Sequence, residues 1–193
     1  MSITRSSFDR QYEHVANIRH GAANAPWRVE FDAPLSTSQS DLANISKLVQ
    51  GSVVSLNEDG NFVLGAGVGT DTNHPVPCIV MKNSFDPDVT TGITGKDQKV
   101  STYSAVGGIV TAIPMTCGYE METTEFTEGT YKPNDGVVAD ATNVGKVTVA
   151  TANPGSTEVY LGHVSVAPKA DRFGNKRLAF WADFIPAGIG TKA

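Results

Sequence analysis

The chain has 193 residues, with 15 Lys and Arg against 20 Asp and Glu, a formal charge of −5 and a pI near 5.3. That length can bury a core without metals or disulfides, and no apolar run approaches the ~20 residues of a membrane-spanning helix. Hydrophobic residues at 40%, charged residues at only 18%, 19 Gly and 10 Pro describe a turn-rich, strand-rich chain.

The opening segment, MSITRSSFDRQYEHVANIRH, is interrupted by charge from Arg5 onward and has no apolar core. It does not read as a secretory signal, which predicts a cytosol-like compartment. Phe8, Tyr12, Val15 and Ile18 follow one another at spacings of four, three and three. Those residues line one face of a short helix, or else belong to an extended arm. Residues 22–26 (AANAP) break the pattern, after which Trp27, Val29 and Phe31 alternate with Arg28 and Glu30 as in a half-buried strand. Ser40 is placed to cap a brief helix with Leu42, Ile45 and Leu48 or Val49 inward, ended by Gly51.

From Gly51 the pattern is β. Val53 to Leu56, the turn Asn57-Glu58-Asp59-Gly60, and Phe62 to Leu64 make a hairpin, because Gly takes the positive φ such turns need. A loop over 65–77 leads to a buried strand, Cys78-Ile79-Val80-Met81, and 82–100 reads as a long exposed loop. Ile109 to Ile113 is a strand closed by Pro114. Gly136-Val137-Val138-Ala139 and Val147-Thr148-Val149 then echo the first hairpin, and a long closing hairpin runs over Val159–Val166 and Arg177–Ile185. The expected fold is mainly β, an antiparallel barrel or sandwich with an N-terminal arm and at most one or two short helices. The arm is residues 1–30 and the body 31–193, with two similar β-hairpin halves as one reading of the echo.

No pattern of catalysis stands out. There is no GxSxG, and His14, His20, His74 and His163 are scattered without HExxH or Cys/His ligand spacing. Gly65-Ala66-Gly67-Val68-Gly69 lacks the Lys and Ser/Thr of a phosphate loop and runs into Asp71 and Pro75 rather than a helix. Asp86-Pro87-Asp88 and the set Glu120, Glu122, Glu125 and Glu128 offer oxygen ligands, but without a DxDxDG pattern a solvated acidic face is the expectation. Asn44-Ile45-Ser46 is a glycosylation sequon with no route to modification in the expected compartment. Cys78 and Cys117 read as reduced, buried thiols. Neither a metal nor another cofactor is expected, and the chain is not read as an enzyme.

Charge is uneven along the chain. Residues 31–168 hold six basic against fifteen acidic groups, whereas 169–193 hold five against two. An acidic body without a basic, aromatic-laced stripe predicts no nucleic-acid binding. Phe180-Trp181-x-x-Phe184 is read first as a core strand and second as an exposed contact strip. The apolar N-terminal face must be buried against the body or another chain, so Phe8, Tyr12, Val15, Ile18 and Trp27 are the candidate protein–protein contacts.

The stretches GSVVSLNEDGNFV (51–63), IVTAIPMTCGYEMETTEFTEGTYKPNDGVVA (109–139) and VYLGHVSVAPKADRFGNKRLAFWADFIPAG (159–188) give the chain a pattern that resembles head decoration, or cement, proteins of tailed bacteriophages. The resemblance covers roughly residues 50–190. It implies a β-rich body, a homotrimer, and a place on the outer capsid surface of a virion, clamping neighbouring major capsid protein subunits after synthesis in the host cytoplasm. It implies no catalytic residue. The alternative is a β-sandwich carbohydrate- or receptor-binding module of a phage tail.

Overall fold

The computed structural model describes residues 16–20, 31–34, 36, 48–57, 59–66, 77–82, 109–115, 118–151, 159–170, 174 and 176–185. Among these residues there are eleven strands and no helix: β1 (Ala16–His20), β2 (Phe31–Pro34), β3 (Val53–Leu56), β4 (Phe62–Leu64), β5 (Cys78–Lys82), β6 (Ile109–Pro114), β7 (Glu120–Thr123), β8 (Gly136–Ala139), β9 (Val147–Val149), β10 (Tyr160–Ala170) and β11 (Lys176–Ile185). They form two antiparallel sheets. The first has six strands in the order β1-β7-β11-β10-β8-β9, the second five in the order β2-β6-β5-β3-β4. The mainly β barrel-or-sandwich architecture expected from the sequence is what the structure shows.

The two sheets repeat one plan. Five strands of each follow the same order, with β2 beside β6 and β7 beside β11 and the internal hairpin at the far edge, and the six-stranded sheet adds β1 outside β7. Register is preserved as well as order. Val54 pairs with Leu64, and Leu56 with Phe62, in the five-stranded sheet; Val137 pairs with Val149, and Ala139 with Val147, in the other. Val80 lies opposite Ala112 just before a bulge, and Val164 lies opposite Phe180 just before another. Both sheets curl toward closure at the same place. The Ser36 N–H donates to the Phe62 carbonyl at 2.8 Å, joining the β2 end to β4, and the Thr127 N–H donates to the Val147 carbonyl at 2.8 Å, joining the β7 end to β9.

Local chemistry explains the hairpins. In the first turn the Asn57 side chain accepts the N–H of Asp59 at 3.1 Å and of Asn61 at 2.9 Å, and Gly60 takes φ +76°. In the second, the Asp140 carboxylate accepts the N–H of Thr142 at 2.8 Å and of Asn143 at 2.9 Å. Short polar side chains thus replace the ladder partners that the turns lose.

Two cores result. One lies on the concave side of the five-stranded sheet and gathers Leu48, Val54, Phe62, Cys78, Val80, Val110 and Ala112. The other joins Met121, Val137, Val164, Leu178 and Phe180 of the six-stranded sheet to Val53, Ile79, Met81 and Ile113 on the outer side of the five-stranded one. Full burial of each Val, Leu, Ile, Phe or Met contributes about 1.5–3 kcal/mol, so the seam between the sheets is a core in its own right. Gln50 fastens it, donating to the Met81 carbonyl at 2.8 Å and more loosely to that of Ala16 at 3.4 Å.

The N-terminal segment departs from one of its two readings. Residues 16–20 are extended and form β1, pairing antiparallel with β7, so the helical reading does not hold there. A ladder with β7 satisfies backbone groups and buries Ala16, which outweighs a weak apolar spacing. The helix expected after Ser40 lies largely outside the described residues; its end is a turn in which the Ser52 N–H donates to the Val49 carbonyl at 3.0 Å and Gly51 takes φ +92°.

Candidate binding face

Strand alternation decides what the six-stranded sheet shows outward. On β11, Leu178, Phe180 and Ala182 belong to the core, which turns Arg177, Ala179, Trp181 and Asp183 to the other side. The ladders align a row across the sheet: His20 lies opposite Glu120, Glu120 opposite Trp181, Trp181 opposite His163 and His163 opposite Gly136. Trp181 and His163 are half-buried, Asp183 is exposed and Glu120 is buried.

A polar network overlies this row. Ser165 donates to Glu120 Oε1, a contact between β10 and β7 that crosses β11. Arg177 Nη1 stands 3.8 Å from Glu122 Oε2. At the near end, the Tyr160 ring lies over Gly136, where an added Cβ would come within 2.9 Å of Tyr160 Cε2. Burial pushes the Tyr160 phenol above its ordinary value, and the nearby Asp183 charge pushes it the same way. The phenol is therefore a hydrogen-bond donor at neutral pH.

The closing hairpin outruns its neighbours. β8 pairs with β10 only from Tyr160 to His163, and β7 with β11 only from Leu178 to Trp181. Beyond them β10 and β11 continue as a two-stranded ribbon carrying Val166, which is 41% exposed, together with Lys169 and Lys176. Pro168 has no N–H and Lys169 carries charge on this free edge, both of which disfavour strand addition by another chain. Lys176 pairs with Glu128 at 2.8 Å, but both side chains are largely exposed, so the pair contributes under about 1 kcal/mol.

The acidic set expected as a solvated face is divided. Glu120 and Glu125 are buried, while Glu128 is exposed. Among the described residues no group of three or more His, Cys, Asp and Glu converges to hold a metal ion. A second polar knot, in which Thr127 donates to Asp140 Oδ2 and Tyr131 donates to the Thr127 carbonyl at 2.6 Å, anchors the 140–146 turn and leaves no open chemistry.

Of the candidate contacts read from the sequence, Phe8, Tyr12, Val15 and Trp27 lie outside the described residues, and Ile18 sits in β1 opposite Met121. The outer row Glu120, Trp181, His163 and Ser165 was not anticipated as a group. Its only signal is the alternation in HVSV and LAFWADF, which carries a face assignment but no cross-strand neighbours. Compared with protein-family models, curated proteins and solved structures, the chain matches none.

Proposed function

We propose that this chain is a structural, non-enzymatic protein of a tailed-phage particle that binds the outer capsid surface and bridges major capsid protein subunits as a homotrimer. The observation that carries the reading is a two-sheet β body whose six-stranded sheet carries the half-buried Trp181 and His163 and the exposed Asp183 on one face, extended by a ribbon with the exposed Val166. Side chains held on paired strands are preorganised, which keeps the entropic cost of docking low. The resemblance to decoration proteins over residues 50–190 points the same way, and so does an acidic body unsuited to nucleic acid. The N-terminal residues Phe8, Tyr12, Val15 and Trp27 add reach in this reading. Mass-spectrometric copy number in purified virions tests it: a ratio near one to the major capsid protein is expected, and absence from virions sinks it.

A carbohydrate- or receptor-binding tail module is the second reading, favoured by the half-buried Trp181 on a sheet face that also carries the exposed Asp183, a pairing suited to a sugar ring. A glycan array with and without calcium, together with a few copies per particle in place of a shell-wide ratio, identifies that case.

A further inference from the structure

β1 stands outside the repeated plan. Strands β2 to β6 close on themselves where the Ser36 N–H reaches the Phe62 carbonyl, and β7 to β11 do the same where the Thr127 N–H reaches the Val147 carbonyl. Each set is complete with five strands, and β1 is a sixth, added to the second set outside β7. Among the described strands, all others pair within their own half of the chain, β2–β6 or β7–β11. β1 precedes the first half and pairs with the second.

The place that β1 fills is a strand-sized acceptor. On one side Ala16, Asn17, Ile18 and His20 lie opposite Thr123, Glu122, Met121 and Glu120 of β7. On the other, Gln50 Nε2 donates to the Ala16 carbonyl at 3.4 Å and to the Met81 carbonyl at 2.8 Å, and Ala16 enters the core that joins the sheets. None of these contacts depends on which copy of the chain supplies the strand. β1 is tied to β2 by residues 21–30, a length that reaches roughly 33–36 Å when extended. The difference between a chain's own acceptor and a neighbour's therefore falls on that link, and exchange of an identical element is a low-cost route to an oligomer.

The described surface offers a second copy little else to hold. Permanent contacts between identical subunits are apolar, like a domain core cut in half, yet among the described residues Val166 is the one exposed large hydrophobic side chain. A strand ladder supplies affinity through main-chain hydrogen bonds instead.

Resting on the homotrimer reading above, we infer that β1 is an exchanged strand: the β1 of each copy completes the six-stranded sheet of the next by pairing with its β7. The partner is a second copy of this chain. Donor strand and acceptor edge are different surfaces, so the contact runs head to tail and closes into a ring. Three copies close it in the homotrimer.

The test uses the full chain carrying Asn17→Cys and Glu122→Cys together, two positions that face each other across the β1–β7 ladder. The variant is linked by oxidation and, in parallel, by a short bis-maleimide that tolerates imperfect thiol geometry. Peptide mapping identifies the 17–122 link and separates it from Cys78 and Cys117. Sedimentation equilibrium gives the mass of the unlinked protein, and thermal midpoints report folding. The expected result is a covalent trimer on a denaturing, non-reducing gel, and a 17–122 link between copies when the two single variants are refolded together. A link confined to single chains, or no 17–122 link with either reagent, in a folded protein that sediments as a trimer overturns the exchange and leaves the homotrimer standing. A protein that sediments as a monomer and links only within the chain sinks both. A covalent dimer from a protein that sediments as a dimer upholds the exchange and overturns the trimer.

Discussion

Gly162 lies against the carbonyl of Trp181 so closely that a Cβ at position 162 would stand 1.9 Å from the Trp181 oxygen. Gly162 also takes φ +155°, beside the register shift that separates the Tyr160 and Gly162 pairings. Only glycine lets β10 and β11 approach here. This close approach sets where His163 and Trp181 stand relative to each other on the outer face.

Gly162→Ala is therefore expected to destabilise the fold by about 3 kcal/mol or more, since the obstacle is backbone and cannot rotate away. Chemical denaturation of the variant measures it. A loss below about 1 kcal/mol means that the strands separate more easily than this packing allows.

Gly145 couples the two sheets. It takes φ +90°, its carbonyl accepts the Val53 N–H at 2.8 Å, and an added Cβ would lie 2.6 Å from Leu64 Cδ1. Gly145→Ala is expected to cost about 2 kcal/mol, part backbone strain and part clash. Leu64→Ala should remove the clash but not the strain, so the double variant costs less than the two single changes added together. Strict additivity in the cycle excludes the contact.

Asp140 links the 140–146 turn to pH. Burial alone would raise its carboxyl, but hydrogen bonds from Thr127, from the Asn143 side chain and from the N–H groups of Asn143 and Thr142 outweigh it and hold the carboxyl down to about 2. A carboxylate held below its unfolded value stabilises the fold above that unfolded value, and this contribution fades as pH falls from about 4 toward 2. Asp140→Asn should lower the urea midpoint clearly at pH 5 and much less at pH 2.5. An equal deficit at both values assigns the effect to lost packing instead of charge.

Cys78 lies in the concave core of the five-stranded sheet, where burial pushes its thiol up to about 12. The reactive thiolate is accordingly scarce at neutral pH. Alkylation followed by peptide mapping should find Cys78 unmodified in the native protein at pH 8 and modified in denaturant. Rapid native labelling would show that the five-stranded sheet opens readily.

Much of the strand content is legible along the chain because it rests on local signals. Val-rich runs, Asp-Gly or Asn-rich turns and period-two alternation mark β3, β4, β8, β9 and the β10–β11 hairpin, and each of these forces acts within about ten residues. The N-terminal apolar spacing illustrates the limit: four residues at helical intervals could not reveal that β7 would offer residues 16–20 a ladder.

By itself the sequence determined an acidic, mainly β chain with its hairpins and turns, because neighbouring residues choose among a few backbone conformations. Tertiary structure alone decided that β2–β6 and β7–β11 follow one plan with matching bulges. It also decided that Val53, Ile79 and Ile113 face a second sheet while Gly136, His163 and Trp181 turn outward. The physical reason is that cross-strand rungs join residues separated by as much as 107 positions, from Ala16 to Thr123. Which side of a sheet becomes a seam depends on what packs against it, and no period within a strand carries that information.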